Sequence, residues 1–197
     1  MAVTAIAAAQ AEGADGRKGA GSDASAAAIE NIMTRRSVRQ YTDRPVAKET
    51  VDTLLRAAMA APTASNKQPW SFVVLTHQSL KDSIAAVLRY GQPIAKAPVC
   101  IVVCGDLHKA SEDISGGYWI QDCSAATENI LLAAHAVGLG AVWCGVYPRQ
   151  ERVANISRIL NLPDNLVPLN VIAIGYPSGS ATVKDKWKPE NIHYNAF

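Results

Sequence analysis

Residues 118–145 read YWIQDCSAATENILLAAHAVGLGAVWCG. From Tyr118 to about Val137 the segment is apolar nearly all round the helical circle, with Trp119, Ile120, Ala126, Ile130, Leu131, Leu132, Ala133 and Ala134 leaving little polar face. A helix of that kind is buried, in the middle of a core or in a subunit interface. Gly138 stops it, and Gly138 with Gly140 makes a tight turn. The run from Ala141 to Tyr147 then reads as a strand. Gly145 inside that strand marks a bulge or a backbone that a ligand approaches.

The same alternation continues in both directions. Ile29, Ile32 and Met33 form a helical stripe behind Asp23 and Ser25, which can cap. Val51, Leu54, Leu55, Ala58 and Met59 give the clearest helical face, closed by Pro62. Ser79 with Asp82 predicts an N-terminal cap for a helix bearing Ile84, Val87 and Leu88. Val153, Ile156, Ile159 and Leu160 predict another before Pro163. Strand signals lie at Trp70 to Thr76, Val99 to Cys104, Ala141 to Tyr147 and Leu166 to Gly175. Helices between strands predict crossovers rather than hairpins, hence an α/β or α+β layered domain. Residues 1–24, Ala- and Gly-rich, read as a flexible N-terminal arm, and residues 25–197 as one domain ending in an extended C-terminal arm from Ser178.

Composition excludes several classes. The chain has 197 residues, is 49% hydrophobic and 18% charged, and carries a net charge of +2. That is too apolar for a disordered chain. The mild charge does not demand a nucleic-acid partner. Thirteen Gly and ten Pro are ordinary. No apolar run has the roughly 18 residues of a membrane helix. Four scattered cysteines without CxxC suit free thiols in a reducing cytoplasm. Four scattered histidines without HExxH give no metal site.

Four segments carry chemistry. Thr34-Arg35-Arg36-Ser37-Val38-Arg39-Gln40-Tyr41 sets three guanidiniums and a hydroxyl at a helix end, either as a solvated basic terminus or as an anion site. Arg35 and Arg39 share a face if the helix persists. The segment 61–70, APTASNKQPW, is a polar connection pinned by prolines. It satisfies its own backbone or presents hydrogen bonds to a flat heterocycle. The segment 138–145, GLGAVWCG, lacks the third glycine and the strand-to-helix context of a dinucleotide fingerprint. Lys184-Asp185-Lys186-Trp187-Lys188 is a solvated charge run, or it completes an anion cradle with the distant arginines.

In this order, RRSVRQY, APTASNKQPW, GLGAVW and the late Lys184-x-Lys186 resemble the FMN-dependent nitroreductase family over about Ile29 to Phe197. The resemblance implies an α+β fold, with a mixed, mainly antiparallel sheet flanked by helices, built as an intertwined homodimer. FMN sites would lie at the interface. Arg35 would hold the phosphate and Arg36 the ribityl or phosphate, with Ser37 and Arg39 at the pyrimidine edge. Lys184 and Lys186 would join the phosphate. Pro62, Thr63, Ala64 and Asn66 would reach the flavin from the partner chain. Cys144 and Gly145 would bring a backbone N–H to flavin N5, and Gln92 an amide to the pyrimidine ring.

Ala64 stands where many relatives have Ser, and Cys144 replaces an acidic residue or glycine. The resemblance implies an NADH- or NADPH-dependent enzyme that reduces nitroaromatics, quinones or similar electron-poor small molecules by a ping-pong scheme. No dedicated catalytic side chain, metal, membrane or nucleic-acid partner is implied. Alternatives are a non-catalytic flavin-binding or sensor protein, and a relative acting on iodinated tyrosines or enoates.

Overall fold

The computed structural model describes residues 20–110, 117–179 and 181–197. Two units meet in sequence at Thr34/Arg35. The first contributes helix α1, Ala20–Thr34. It starts ahead of Asp23 and Ser25, so both predicted caps lie inside it. Ile29, Ile32 and Met33 are exposed. Residues 1–19 of the predicted arm lie outside the described residues.

The second unit, Arg35–Phe197, runs in the order α2 (Lys48–Met59), a 3-10 turn (Ala64–Asn66), β1 (Trp70–Leu75), α3 (Gln78–Ala86), α4 (Gln92–Lys96), β2 (Val99–Asp106), α5 (Tyr118–Ala136), β3 (Gly140–Gly145), α6 (Gln150–Leu160), β4 (Leu166–Gly175) and a second 3-10 turn (Pro189–Asn191). The strands lie in the order β1-β2-β4-β3, each neighbour antiparallel. Every connection between successive strands contains a helix, yet no two neighbouring strands are parallel. This is the α+β arrangement expected. The parallel element is an isolated bridge, Ser37 to Ala141, along the outer edge of β3.

Both faces of the sheet are covered, which explains the unbroken apolar run of β2. Val99, Ile101 and Val103 face α2 and α5, with Leu54, Ala58, Ala126 and Ile130. Cys100, Val102 and Cys104 face α3, α4 and α6, with Ile84, Ile94 and Ile156. Burying one such Leu or Ile is worth about 1.5–3 kcal/mol. Helix α5 is buried along Trp119, Cys123, Ala126, Ile130 and Ala134. Ile120, Ala125 and Ala133 stay half-buried on its flanks.

One local reading needs correction. Ser79 and Asp82 do not cap α3. The helix begins at Gln78, behind His77, with no side-chain cap. Asp82 instead accepts a hydrogen bond from Gln78 Nε2 at 2.8 Å, a partner one turn away. α4, for which no helix was predicted, has only five residues and starts on Gln92-Pro93, too short for a periodic signal.

Gly140 shows how the sheet edge is built. A Cβ there would stand 2.6 Å from the Val38 Cβ. Replacing Gly140 by Ala is expected to cost about 1–3 kcal/mol in urea unfolding, by overpacking. Adding Val38→Ala should recover part of that loss. Wild-type stability of the single variant would mean that Val38 is not seated on Gly140.

Candidate active site

The site begins with a backbone hydrogen bond. Val38 N–H donates to the Ala141 carbonyl at 3.0 Å. α1 has ended at Thr34, so Arg35 and Arg39 share no helical face. They lie on an extended segment laid along β3. Further on, Thr42 N–H donates to Tyr176 O and Ser178 N–H to Gln40 O, seating the segment against the end of β4. The Tyr41 hydroxyl donates to the Val38 carbonyl at 2.6 Å. Burial, foremost, pushes that phenol above its ordinary range.

A cavity of about 640 Å³ opens beside β3. Its walls come from Arg39 and Gln40, from the turn and short helix bearing Arg89, Tyr90, Gln92 and Lys96, from Val142 to Gly145, and from Arg152 on α6. Four of these side chains are cationic and none is a carboxylate, so the cavity favours an anionic ligand.

β3 is an edge strand among the described residues. Since the Ala141 carbonyl points outward to Val38, alternation turns the N–H and C=O of Trp143 and Gly145 to the same free edge. Those of Val142 and Cys144 turn toward β4. Arg152 Nη1 donates to the Gly145 carbonyl at 3.0 Å. A Cβ on Gly145 would meet only Trp143 Nε1, at 4.0 Å. Neither packing nor a positive φ requires glycine here; its absent side chain leaves the strand surface open to the cavity. The Cys144 thiol is pushed up to about 11 by burial, while the Arg39 charge pulls it down.

The structure thus brings together Arg39, Gln92, Cys144 and Gly145 in one cavity. The other predicted residues lie elsewhere. Arg35 Nε pairs with Glu128 Oε1 at 3.0 Å. Arg36 and Arg35 both hold His135 below its usual value, after burial, which is the larger cause. Ser37 is exposed at its bridge to Ala141. Lys184 and Lys186 are exposed in the tail, where the intervening Asp185 accepts the Trp187 N–H at 2.9 Å.

The loop holding Pro62, Thr63, Ala64 and Asn66 does not line the cavity. It is nonetheless held tightly. Asp122, buried on α5, accepts the Ala64 N–H at 2.9 Å. Thr63 Oγ1 accepts the Gln68 N–H at 3.1 Å, and Gln68 Nε2 donates to Asn66 Oδ1 at 3.0 Å. Ser65, Asn66 and Gln68 have φ of 50°, 54° and 50°. A left-handed L-residue costs about 1–2 kcal/mol. Such strain clusters at ligand-contacting segments.

Arg89, Lys96 and Arg152 were not legible as site residues, because each is an isolated cation in the chain. Asp122 and Glu128 were likewise unassigned, since their partners Ala64 and Arg35 are remote in sequence.

A model of the nitroreductase family matches residues 32–95 and 82–176. The chain is similar to a candidate NADH dehydrogenase/NAD(P)H nitroreductase of Methanothermobacter thermautotrophicus, at 45% identity over 165 residues, 84% of this chain and 85% of that protein. It is similar to a solved structure with the same candidate description from Parabacteroides distasonis (TM-score 0.82, 44% identity, covering 86% of this chain and 98% of that one). It also resembles a candidate nitroreductase from Desulfovibrio desulfuricans solved in complex with FMN (TM-score 0.73, 32% identity, 86% and 97% covered). The chain belongs to the nitroreductase family.

Two outcomes test the site. A thiol of pKa about 11 is only about one part in a thousand ionised at pH 8. Alkylation of Cys144, followed by mass spectrometry, is therefore expected to be slow at pH 8 and to rise about tenfold per pH unit. Arg39→Gln should slow it further, because removing the cation raises the thiol pKa. An unchanged rate would separate Arg39 from Cys144. Asp122→Ala should speed amide exchange at Ala64 and cost about 1–3 kcal/mol of stability, by leaving a donor unmatched. Unaltered exchange would show that Asp122 does not hold the loop.

Proposed function

We propose that the protein reduces nitroaromatics, quinones or similar electron-poor small molecules in two half-reactions that share one slot. Donor and acceptor would occupy it in turn, a ping-pong scheme. By family the chain is an NAD(P)H-dependent flavin oxidoreductase with FMN as its cofactor. One observation carries the placement of that cofactor: Gly145 leaves open space on a free strand edge, inside a cavity walled by cations. A flat, electron-accepting ring fits such a surface, and its more electron-rich state fits the charge.

The chemistry that bound FMN supplies is two-electron transfer, from NADH or NADPH to the acceptor. The chain's own groups bind and bias. Gly145 and Trp143 offer backbone N–H donors at the free edge of β3. Arg39 holds a fixed positive charge on the cavity wall, which favours the more electron-rich state of any ligand there. Gln92 offers an amide at the same wall. Ser37, two residues before Arg39 on the same segment, would add a hydroxyl. Arg35 and Arg36, with Lys184 and Lys186, would hold the phosphate. No side chain transfers a proton in this scheme, because solvent reaches the open slot.

The site would be completed by a second copy. Pro62, Thr63, Ala64 and Asn66 belong to a rigid loop outside their own chain's cavity, and we assign them to the partner's flavin. The half-buried Ile120, Ala125 and Ala133 and the exposed Trp187, Tyr194 and Phe197 supply apolar surface for such an intertwined homodimer. Four free cysteines suit a reducing, cytoplasmic setting.

The test is an anaerobic absorbance titration of FMN-loaded protein. NADH or NADPH is expected to bleach the flavin bands, and a nitroaromatic or quinone to restore them. Bound flavin that neither donor bleaches would leave a storage or sensing protein instead. Arg35→Ala is expected to weaken FMN retention about tenfold, the loss of one charge-assisted contact. Retention equal to wild type would overturn the phosphate assignment.

A further inference from the structure

We infer that Arg152 is a positioning residue of the cofactor site, holding the Gly145 peptide and setting a fixed cation on the cavity wall that Arg39 also lines. The inference rests on the flavin reading above. Arg152 is the third residue of α6, in its first turn. A cation is disfavoured there by the positive end of the helix dipole. Among the described residues it forms no ion pair that would account for it. Its observed partner is the Gly145 carbonyl, 3.0 Å from Nη1.

That carbonyl lies on the free edge of β3. Left alone, it would present the negative end of a dipole to whatever enters the cavity. Arg152 occupies it and keeps the rest of its guanidinium fork on the cavity wall. Arg39 approaches the same strand from the segment bridged to Ala141. Two guanidiniums from remote parts of the chain therefore flank one strand edge. Both favour a ligand more strongly when it carries more electron density, so Arg152 stabilises reduced over oxidised FMN.

The experiment measures FMN affinity by fluorescence titration, and the two-electron potential by anaerobic equilibration with a reference dye, on full-length protein. Arg152→Ala is expected to weaken oxidised FMN about tenfold and reduced FMN about a hundredfold. The tenfold difference lowers the potential by about 30 mV for a two-electron couple. Arg152→Gln keeps a donor for Gly145 without the charge; it should bind oxidised FMN better than the Ala variant yet show the same fall in potential. Arg152→Lys should restore the potential. Arg158→Ala, on the same helix and outside the cavity, removes an equal charge and should change neither.

Wild-type affinity and potential in both Arg152→Ala and Arg152→Gln would overturn the inference. So would an equal shift in Arg158→Ala, which would make the effect one of net charge. If Arg152→Ala does not fold, the Gln and Lys pair decides through the potential alone. Wild-type protein that binds no FMN would sink the flavin reading itself, a distinct result.

Discussion

The bond from Val38 N–H to the Ala141 carbonyl governs what the site can be. It is one backbone hydrogen bond of 3.0 Å. It lays an extended, arginine-rich segment parallel to an edge strand, and the absence of a side chain at Gly140 lets Val38 settle into contact. From that anchor Arg39 reaches the cavity wall. The same bond sets the parity of β3, turning the Trp143 and Gly145 peptides to the free edge. A one-residue slip would turn the Val142 and Cys144 peptides outward instead.

The fold divides structural and chemical work between regions. The two apolar layers on the sheet supply rigidity. The chemistry sits where the sheet runs out of strands, because an edge keeps unspent N–H groups. The loop of residues 61–70 follows another logic. Its three left-handed residues are held by Asp122 and by its own side chains, so its shape is set before any ligand arrives. Preorganisation of that kind lowers the entropy lost on binding.

Much of this was legible in the residues. The four strands followed from Val- and Ile-rich runs, and the buried helix from an apolar circle with a glycine stop. Arg39, Gln92, Cys144 and Gly145 came from resemblance, and the cavity unites them. The remainder was illegible for physical reasons. Arg89, Lys96 and Arg152 are single cations that only the tertiary fold gathers. Asp122 acts on a peptide 58 residues away, beyond any local pattern. Ser79 and Asp82 looked like a cap, but Gln78, one turn ahead of Asp82, took its carboxylate. The left-handed backbone at Gln68 has no signal at all, because Gln carries no bias toward it.

The decisive measurement is FMN binding by calorimetry to Gly145→Val beside the wild type, with thermal unfolding of both. A side chain at this position meets open space within the chain, so stability should hold. If the cofactor's ring lies against this strand, affinity should fall by about a hundredfold or more, the cost of a few kcal/mol of steric exclusion. Equal affinity in the two proteins would place the flavin somewhere other than the free edge of β3.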